Sequence, residues 1–271
     1  MFIVGAAFSF DWELVQSAVA KFTRVCTFDP SGTTWSDSFQ AAVRVLDPNA
    51  PPRSTPTCED RIAEIKRVIA HIKVERPYIL VGYSVGALWE RLYTAHDPEG
   101  VAGMVIVDHA FLPNNKVPEV QKLPGPTSSG LNRGPVLLTK TPIVIGFEDD
   151  VNFRKLPQHD QELHEWALAQ HPLRPGEEMT ADCFSKIDRA VGNRSYPLGD
   201  MPLTVIRTEN ETPGYEEMQM KLLSLSRQSR EIVAHNSSHM VPIDEPEVII
   251  SAIHTMVEHT RGTKTEDSKQ H

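Results

Sequence analysis

The sequence predicts an α/β protein: a mostly parallel sheet with helices on both faces and one inserted helical segment. Three observations carry this reading. Short apolar runs recur along the 271 residues and alternate with stretches of helical spacing. One such run, Tyr78-Ile79-Leu80-Val81, leads straight into Gly82-Tyr83-Ser84-Val85-Gly86 and then into a helix-compatible stretch beginning at Ala87. The alternation breaks once, between Asp108 and Gly199, over a proline-bearing stretch too long to be a simple loop.

The elements follow in order. Phe2 to Val4 reads as a short strand, and Trp12 to Phe22 as a helix with apolar residues at Trp12, Val15, Val19 and Phe22. Arg24 to Phe28 reads as a strand, and a loop rich in Pro, Ser and Thr runs from Asp29 to Thr57. Glu59 to Val74 is amphipathic, with Ile62, Ile65, Val68, Ile69 and Ile72 on one stripe; Thr57, with Asp60 three residues on, supplies an N-cap. After the strand at Tyr78 to Val81 come a helix from about Val85 to Ala95 and a strand at Gly103 to Val107. Later strands are expected at Leu203 to Ile206 and Glu231 to Ala234, and helices at Tyr215 to Leu225 and Glu245 to Glu258. These pieces give a core of residues 1–108 and 200–260, a helical cap over 109–199 with pieces near Asp160 to Ala169 and Thr180 to Val191 and no strand signal, and a disordered tail over 261–271.

Composition narrows the functional classes. The net charge of −9 argues against nucleic acid and anionic membrane surfaces as partners. No apolar run is long enough to span a bilayer, and Met1 to Gly5 lacks the basic and apolar regions of a secretory signal. Three widely spaced cysteines, Cys26, Cys58 and Cys183, suggest neither a disulfide framework nor a zinc site, so a reducing, cytoplasmic setting is the default expectation, with Cys26 in the core. A small-molecule substrate is the expected partner, with homodimerisation left open.

Ser84 is the candidate nucleophile. A serine on a sharp strand-to-helix turn presents its hydroxyl in the open, and the flanking glycines let the two backbones pass without Cβ clashes. Such a serine needs a base and a group to orient that base. Among eleven histidines, His239 stands out. It follows a strand and a short loop and precedes the last helix, which puts it at the carboxyl edge of the sheet where Ser84 is also expected. His235 sits nearby at a strand end, His254 and His259 belong to the final helix, and His159, His164 and His171 fall in the insertion; none shows metal-ligand spacing with a third ligand. For the acid, Asp108 at the end of the strand after the nucleophile helix is preferred, while Glu211 and then Glu209, after the next strand, stay open; all keep the order serine, acid, histidine.

These motifs together resemble the α/β-hydrolase fold superfamily, in its esterase-like form with a helical cap, over nearly the whole chain. Gly82 to Gly86 resembles the nucleophile elbow, and Ser238-His239 with Asp244-Glu245-Pro246-Glu247 resembles the histidine loop and last helix. The stretch from Phe10-Asp11-Trp12-Glu13 through Trp35-Ser36-Asp37 resembles the segment from oxyanion loop to third-strand loop. Members usually carry His-Gly before the oxyanion loop; here Val4-Gly5 stands in that place. Phe2 begins what resembles the family's third strand, so the first strands of the usual fold are expected to be missing. The resemblance implies an oxyanion hole built from the backbone N–H of Val85 and of Ala6 or Ala7.

The implied chemistry is acyl transfer without a cofactor or metal: hydrolysis of a carboxylic ester or lactone of a small apolar molecule through an acyl-enzyme. Serine at the elbow argues against dehalogenase or epoxide hydrolase chemistry, which would use aspartate there. Phe111, Leu112, Leu156, Trp166, Leu168 and Phe184 would line an apolar pocket, or else form the cap's own core. Two alternatives remain: a non-hydrolytic biosynthetic step such as cyclisation or acyl transfer on the same fold, and a catalytically inactive binding protein.

Overall fold

A computed structural model of the 271-residue chain describes residues 2–5, 8–39, 41–42, 49, 56–109, 136–138, 142–144, 151–170, 177–192, 194–210 and 212–267. Six strands form one wholly parallel sheet. In chain order they are β1 (Phe2–Gly5), β2 (Cys26–Thr27), β3 (Tyr78–Tyr83), β4 (Val101–Val107), β7 (Leu203–Thr208) and β8 (Ser229–Ala234). Their order across the sheet is β2-β1-β3-β4-β7-β8, which puts β3 and β4 at its centre. Among the described residues, β1 is paired in parallel on both sides, with β2 and β3.

The central strands are apolar on both faces because helices cover both. Val81, Tyr83, Val105 and Val107 pack with Trp12, Val15, Ile249 and Ile253, from α1 (Glu13–Val19), α8 (Pro246–Asp267) and the 3-10 turn Ser9–Trp12. Leu80, Met104 and Ile106, pointing the other way, pack with Ile62, Ile65, Leu88 and Leu92 from α2 (Cys58–Ile72) and α3 (Gly86–His96). The cap of α2 forms as expected: Thr57 Oγ1 accepts Asp60 N–H at 3.2 Å, and Asp60 Oδ2 accepts Thr57 N–H at 2.7 Å. These reciprocal bonds satisfy two donors that a helix start otherwise leaves unpaired.

Several expectations need correction. The insertion does hold strands: β5 (Val136–Leu138) and β6 (Pro142–Val144) pair antiparallel. Three-residue strands are too short to carry an alternation signal. Its helices are α4 (Gln158–Gln170) and α5 (Glu177–Val191), and α5 packs on α3 and α2, burying Cys183 and Ile187. The polar tail is not disordered from Arg261: α8 continues to Asp267, and Arg261 donates to Phe22 O at 2.8 Å and to Glu258 at 3.1 Å. The expected absence of disulfides is also overturned. Cys58 and Cys183 are bonded (S–S 2.08 Å), joining the first turn of α2 to α5 across a separation of 125 residues. Cys26 is free and only partly buried.

Candidate active site

The site begins with two adjacent strands that end in the same way. Tyr83 and Val107 are register partners on β3 and β4. The next residue on each strand, Ser84 and Asp108, has left-handed backbone, φ 53° and 40°. Such angles are uncommon for non-glycine residues and turn both chains abruptly at the carboxyl edge of the sheet. The Ser84 N–H is held by Val107 O at 3.0 Å, and the Asp108 N–H by Ile206 O at 2.7 Å. Gly82 is required by crowding: a Cβ there would lie 2.6 Å from the Ala87 Cα and from the Glu90 carboxyl.

His239 reaches this pair from the loop between β8 and the short helix α7 (Val241–Asp244). That loop is pinned by Asp244, whose Oδ2 accepts from the N–H and hydroxyl of Ser238 at 2.7 and 2.6 Å. The imidazole lies against the Tyr83 ring, with centroids 4.9 Å apart. Its Nδ1–H donates to Asp108 Oδ2 at 2.5 Å, and its Nε2 accepts from Ser84 Oγ at 3.0 Å. Ser84 and His239 are half-buried; Asp108 is 2% exposed.

The other oxygen of Asp108 belongs to a residue that the sequence did not single out. Tyr215, at the start of α6 (Tyr215–Leu222), donates its hydroxyl to Oδ1, and the Thr208 hydroxyl lies 3.4 Å from the same atom. Burial first, then the Asp108 charge, push the Tyr215 phenol well above its ordinary value, so it remains a donor. Only the fold could reveal this contact, since Tyr215 reads as an ordinary apolar helix position. Next to Asp108, His109 Nε2 accepts from Arg91 Nη1 at 2.9 Å, and Gln219 donates to His109 O at 3.2 Å.

The remaining candidates fall elsewhere. Glu209 pairs with His235 at 2.8 Å on the exposed surface. Glu211, Ala6 and Ala7 lie outside the described residues, as do Phe111 and Leu112. Val85 stands as the N-cap of α3, where helical N–H groups lack intrahelical acceptors. Of the proposed pocket residues, Leu156 is in the core beside Trp12 and Met240, Leu168 and Phe184 are partly buried, and Trp166 is 40% exposed. Trp166 stacks on Trp35 at 5.9 Å, and Trp35 meets Phe10 edge-on at 5.8 Å. No group of His, Cys, Asp and Glu side chains suited to a metal ion occurs among the described residues.

Fold and sequence together define the class. The α/β-hydrolase fold model matches residues 5–246, and the chain belongs to that family. An esterase from Thermogutta terrifontis superposes with a TM-score of 0.62 at 14% identity, covering 96% of this chain and 89% of that one. A carboxylesterase from Nitrososphaera gargenis gives 0.61 at 11% identity, covering 97% and 90%. Likeness at such identities concerns the fold. Among curated proteins, the uncharacterised YqjL of Bacillus subtilis is 25% identical over 208 residues, which is 74% of this chain and 65% of YqjL. The chain thus spans slightly less than two thirds of that relative, and the match to an uncharacterised Schizosaccharomyces pombe protein (30% identity over 94 residues) spans 15% of it.

Proposed function

We propose that the protein is a serine hydrolase that cleaves a carboxylic ester or lactone of a small, apolar molecule through an acyl-enzyme. One observation carries the reading: the unbroken hydrogen-bond chain from Ser84 Oγ to His239 to Asp108, at 3.0 and 2.5 Å. In this reading His239 takes the Ser84 proton as Oγ attacks the carbonyl carbon, and Asp108 holds the imidazole in the tautomer with Nε2 free to accept it. The backbone N–H of Val85, with that of Ala6 or Ala7, receives the tetrahedral oxyanion; losing one such donor typically costs ~100- to 1,000-fold in rate. His239 then gives its proton to the leaving alcohol, and water, activated by the same imidazole, releases the acid.

The reaction needs no cofactor and no partner beyond the substrate. The insertion of residues 109–199 acts as the cap, and the aromatic group of Phe10, Trp35 and Trp166, shared between the segment after β1 and α4, supports an apolar substrate. The Thermogutta and Nitrososphaera proteins of like fold are an esterase and a carboxylesterase, in keeping with a hydrolase reading. No described helix is long and apolar enough to cross a membrane. The Cys58–Cys183 bridge weighs against the reducing compartment expected from the cysteine count, because such bridges persist mainly in oxidising ones.

The test is covalent labelling. A fluorophosphonate should add to Ser84, detected by mass spectrometry of the peptide, and Ser84→Ala should abolish both the adduct and hydrolysis of short p-nitrophenyl esters. Wild-type turnover in the purified Ser84→Ala protein would overturn the reading.

A further inference from the structure

A second carboxylate–imidazole pair, which the reaction above does not use, is buried at the 3-10 turn Ser9–Trp12, shortly after β1. Asp11 is 0% and His164 1% exposed, and His164 Nδ1–H donates to Asp11 Oδ1 at 2.6 Å. The other oxygen, Oδ2, accepts the Phe8 N–H at 2.9 Å. The rings of Phe8, Phe10 and Phe153 surround the imidazole, with centroids 5.4, 6.3 and 5.1 Å away. One residue further on, Asp29 accepts the N–H and hydroxyl of Ser9 at 2.9 and 2.7 Å. The turn at Phe8 and Ser9 is therefore clamped by two carboxylates, and the first is oriented by a helix, α4, that lies 153 residues away in the chain.

We propose that His164 is a positioning residue for the oxyanion side of the site: it orients Asp11, and Asp11 fixes the backbone at Phe8. Three points lead there. Burying a charged or strongly polar pair carries a desolvation penalty that apolar side chains of the same volume avoid, so filling space among three phenylalanines does not account for the pair. What it supplies instead is direction, because both carboxylate oxygens are used and one of them ends on a backbone N–H. Finally, Phe8 lies three residues after Gly5, which pairs in the sheet with Tyr83, the residue immediately before Ser84. An imidazole supplied from α4 holds the carboxylate that fixes Phe8, and makes the docking of that helix a condition of good site geometry.

This inference rests on the serine-hydrolase reading, and its test separates the two. Wild type is first treated with fluorophosphonate and assayed on p-nitrophenyl acetate. If Ser84 takes no adduct and no ester turns over, the reading falls, and this inference with it, before any His164 variant is made. With an active wild type, His164→Leu should lower kcat roughly 10- to 100-fold, the scale expected for a misplacement of about 1 Å, with KM within about twofold. Inhibition by an alkylboronic acid, which mimics the tetrahedral oxyanion, should weaken by the same factor. His164→Asn, whose amide N–H falls close to the imidazole Nδ1, should recover most of the rate. If His164→Leu does not unfold cooperatively, His164→Gln replaces it in the comparison with His164→Asn. Wild-type kcat in a folded variant lacking the Nδ1 donor, equal losses with and without the donor, or unchanged boronic acid affinity would each overturn the proposal.

Discussion

Tyr215 and His239 divide the Asp108 carboxylate between them, the phenol donating to Oδ1 and the imidazole to Oδ2. Thr208 completes the arrangement, its N–H donating to the Tyr215 hydroxyl at 3.1 Å. A carboxylate that is 2% exposed needs such donors, because burial without them disfavours its charge. The donors also leave one oxygen, in one orientation, for the imidazole.

Asp108→Asn should lower kcat/KM by about 10,000-fold, since an amide nitrogen facing His239 Nδ1 favours the wrong tautomer. Thermal stability should stay near wild type, because Tyr215 can still donate to the amide oxygen. Glu211→Gln should do little. Steady-state kinetics on both variants decide: a steep loss only in Glu211→Gln would move the acid's role there.

Tyr215→Phe keeps the ring and removes one hydrogen bond to a charged group. A urea titration should show a loss of about 1.5–3 kcal/mol. Turnover should fall by roughly tenfold with little change in KM, since a carboxylate free to rotate holds the imidazole less well. Unchanged turnover would make Tyr215 a packing residue alone.

Glu90 gives a pH dependence of stability. Its carboxyl is buried behind Gly82, and burial, only partly offset by Arg91 and a Gly82 backbone hydrogen bond, pushes it well above its ordinary value of 4.5. Below that value both folded and unfolded chains hold the proton and its contribution is fully present. As pH rises the unfolded chain releases the proton first, and stability is lost until the folded carboxyl also ionises. Glu90→Gln, which cannot ionise, should therefore melt above wild type at neutral pH and converge with it near pH 4. Each 1 kcal/mol of gain reads as roughly 2–4 °C in the thermal midpoint. A gap that is constant with pH, or of opposite sign, would show that Glu90 does not act through its proton.

The Cys58–Cys183 bridge predicts a thiol count. Denatured, unreduced protein should titrate one thiol, Cys26, and reduced protein all three. Cys183→Ser should cost about 2–4 kcal/mol, largely by freeing the unfolded chain. Three thiols without reductant would mean that the bridge does not form in solution.

What the sequence made legible follows the strength of its periodic signals. The central strands, α2 with its Thr57 cap, and the elbow around Ser84 depend on local patterns, and those patterns were present. The placing of Asp108 and His239 beside Ser84 was readable because each sits directly at the end of a strong strand or loop signal. Tyr215, Asp11 and His164 were not, because their roles arise from contacts between segments more than a hundred residues apart. The disulfide was missed for the same reason: only the packing of α5 on α2 brings Cys183 to Cys58. The strands at Val136 and Pro142 and the helical run past Arg261 were missed because short or polar segments carry almost no period.

Ser84 and Asp108, the proposed nucleophile and acid, stand at the carboxyl ends of the two strands of a single strand–helix–strand unit, β3-α3-β4, on neighbouring strands in register. Their mutual spacing is thus written into one short piece of chain and travels with it. The long stretch that follows β4 can change in length without altering the spacing of these two strand ends. Thr208, Tyr215 and His239 are brought in from the far end of the chain, and the variation this architecture can accept is bounded by how faithfully the last two strands and the segments after them return to that edge.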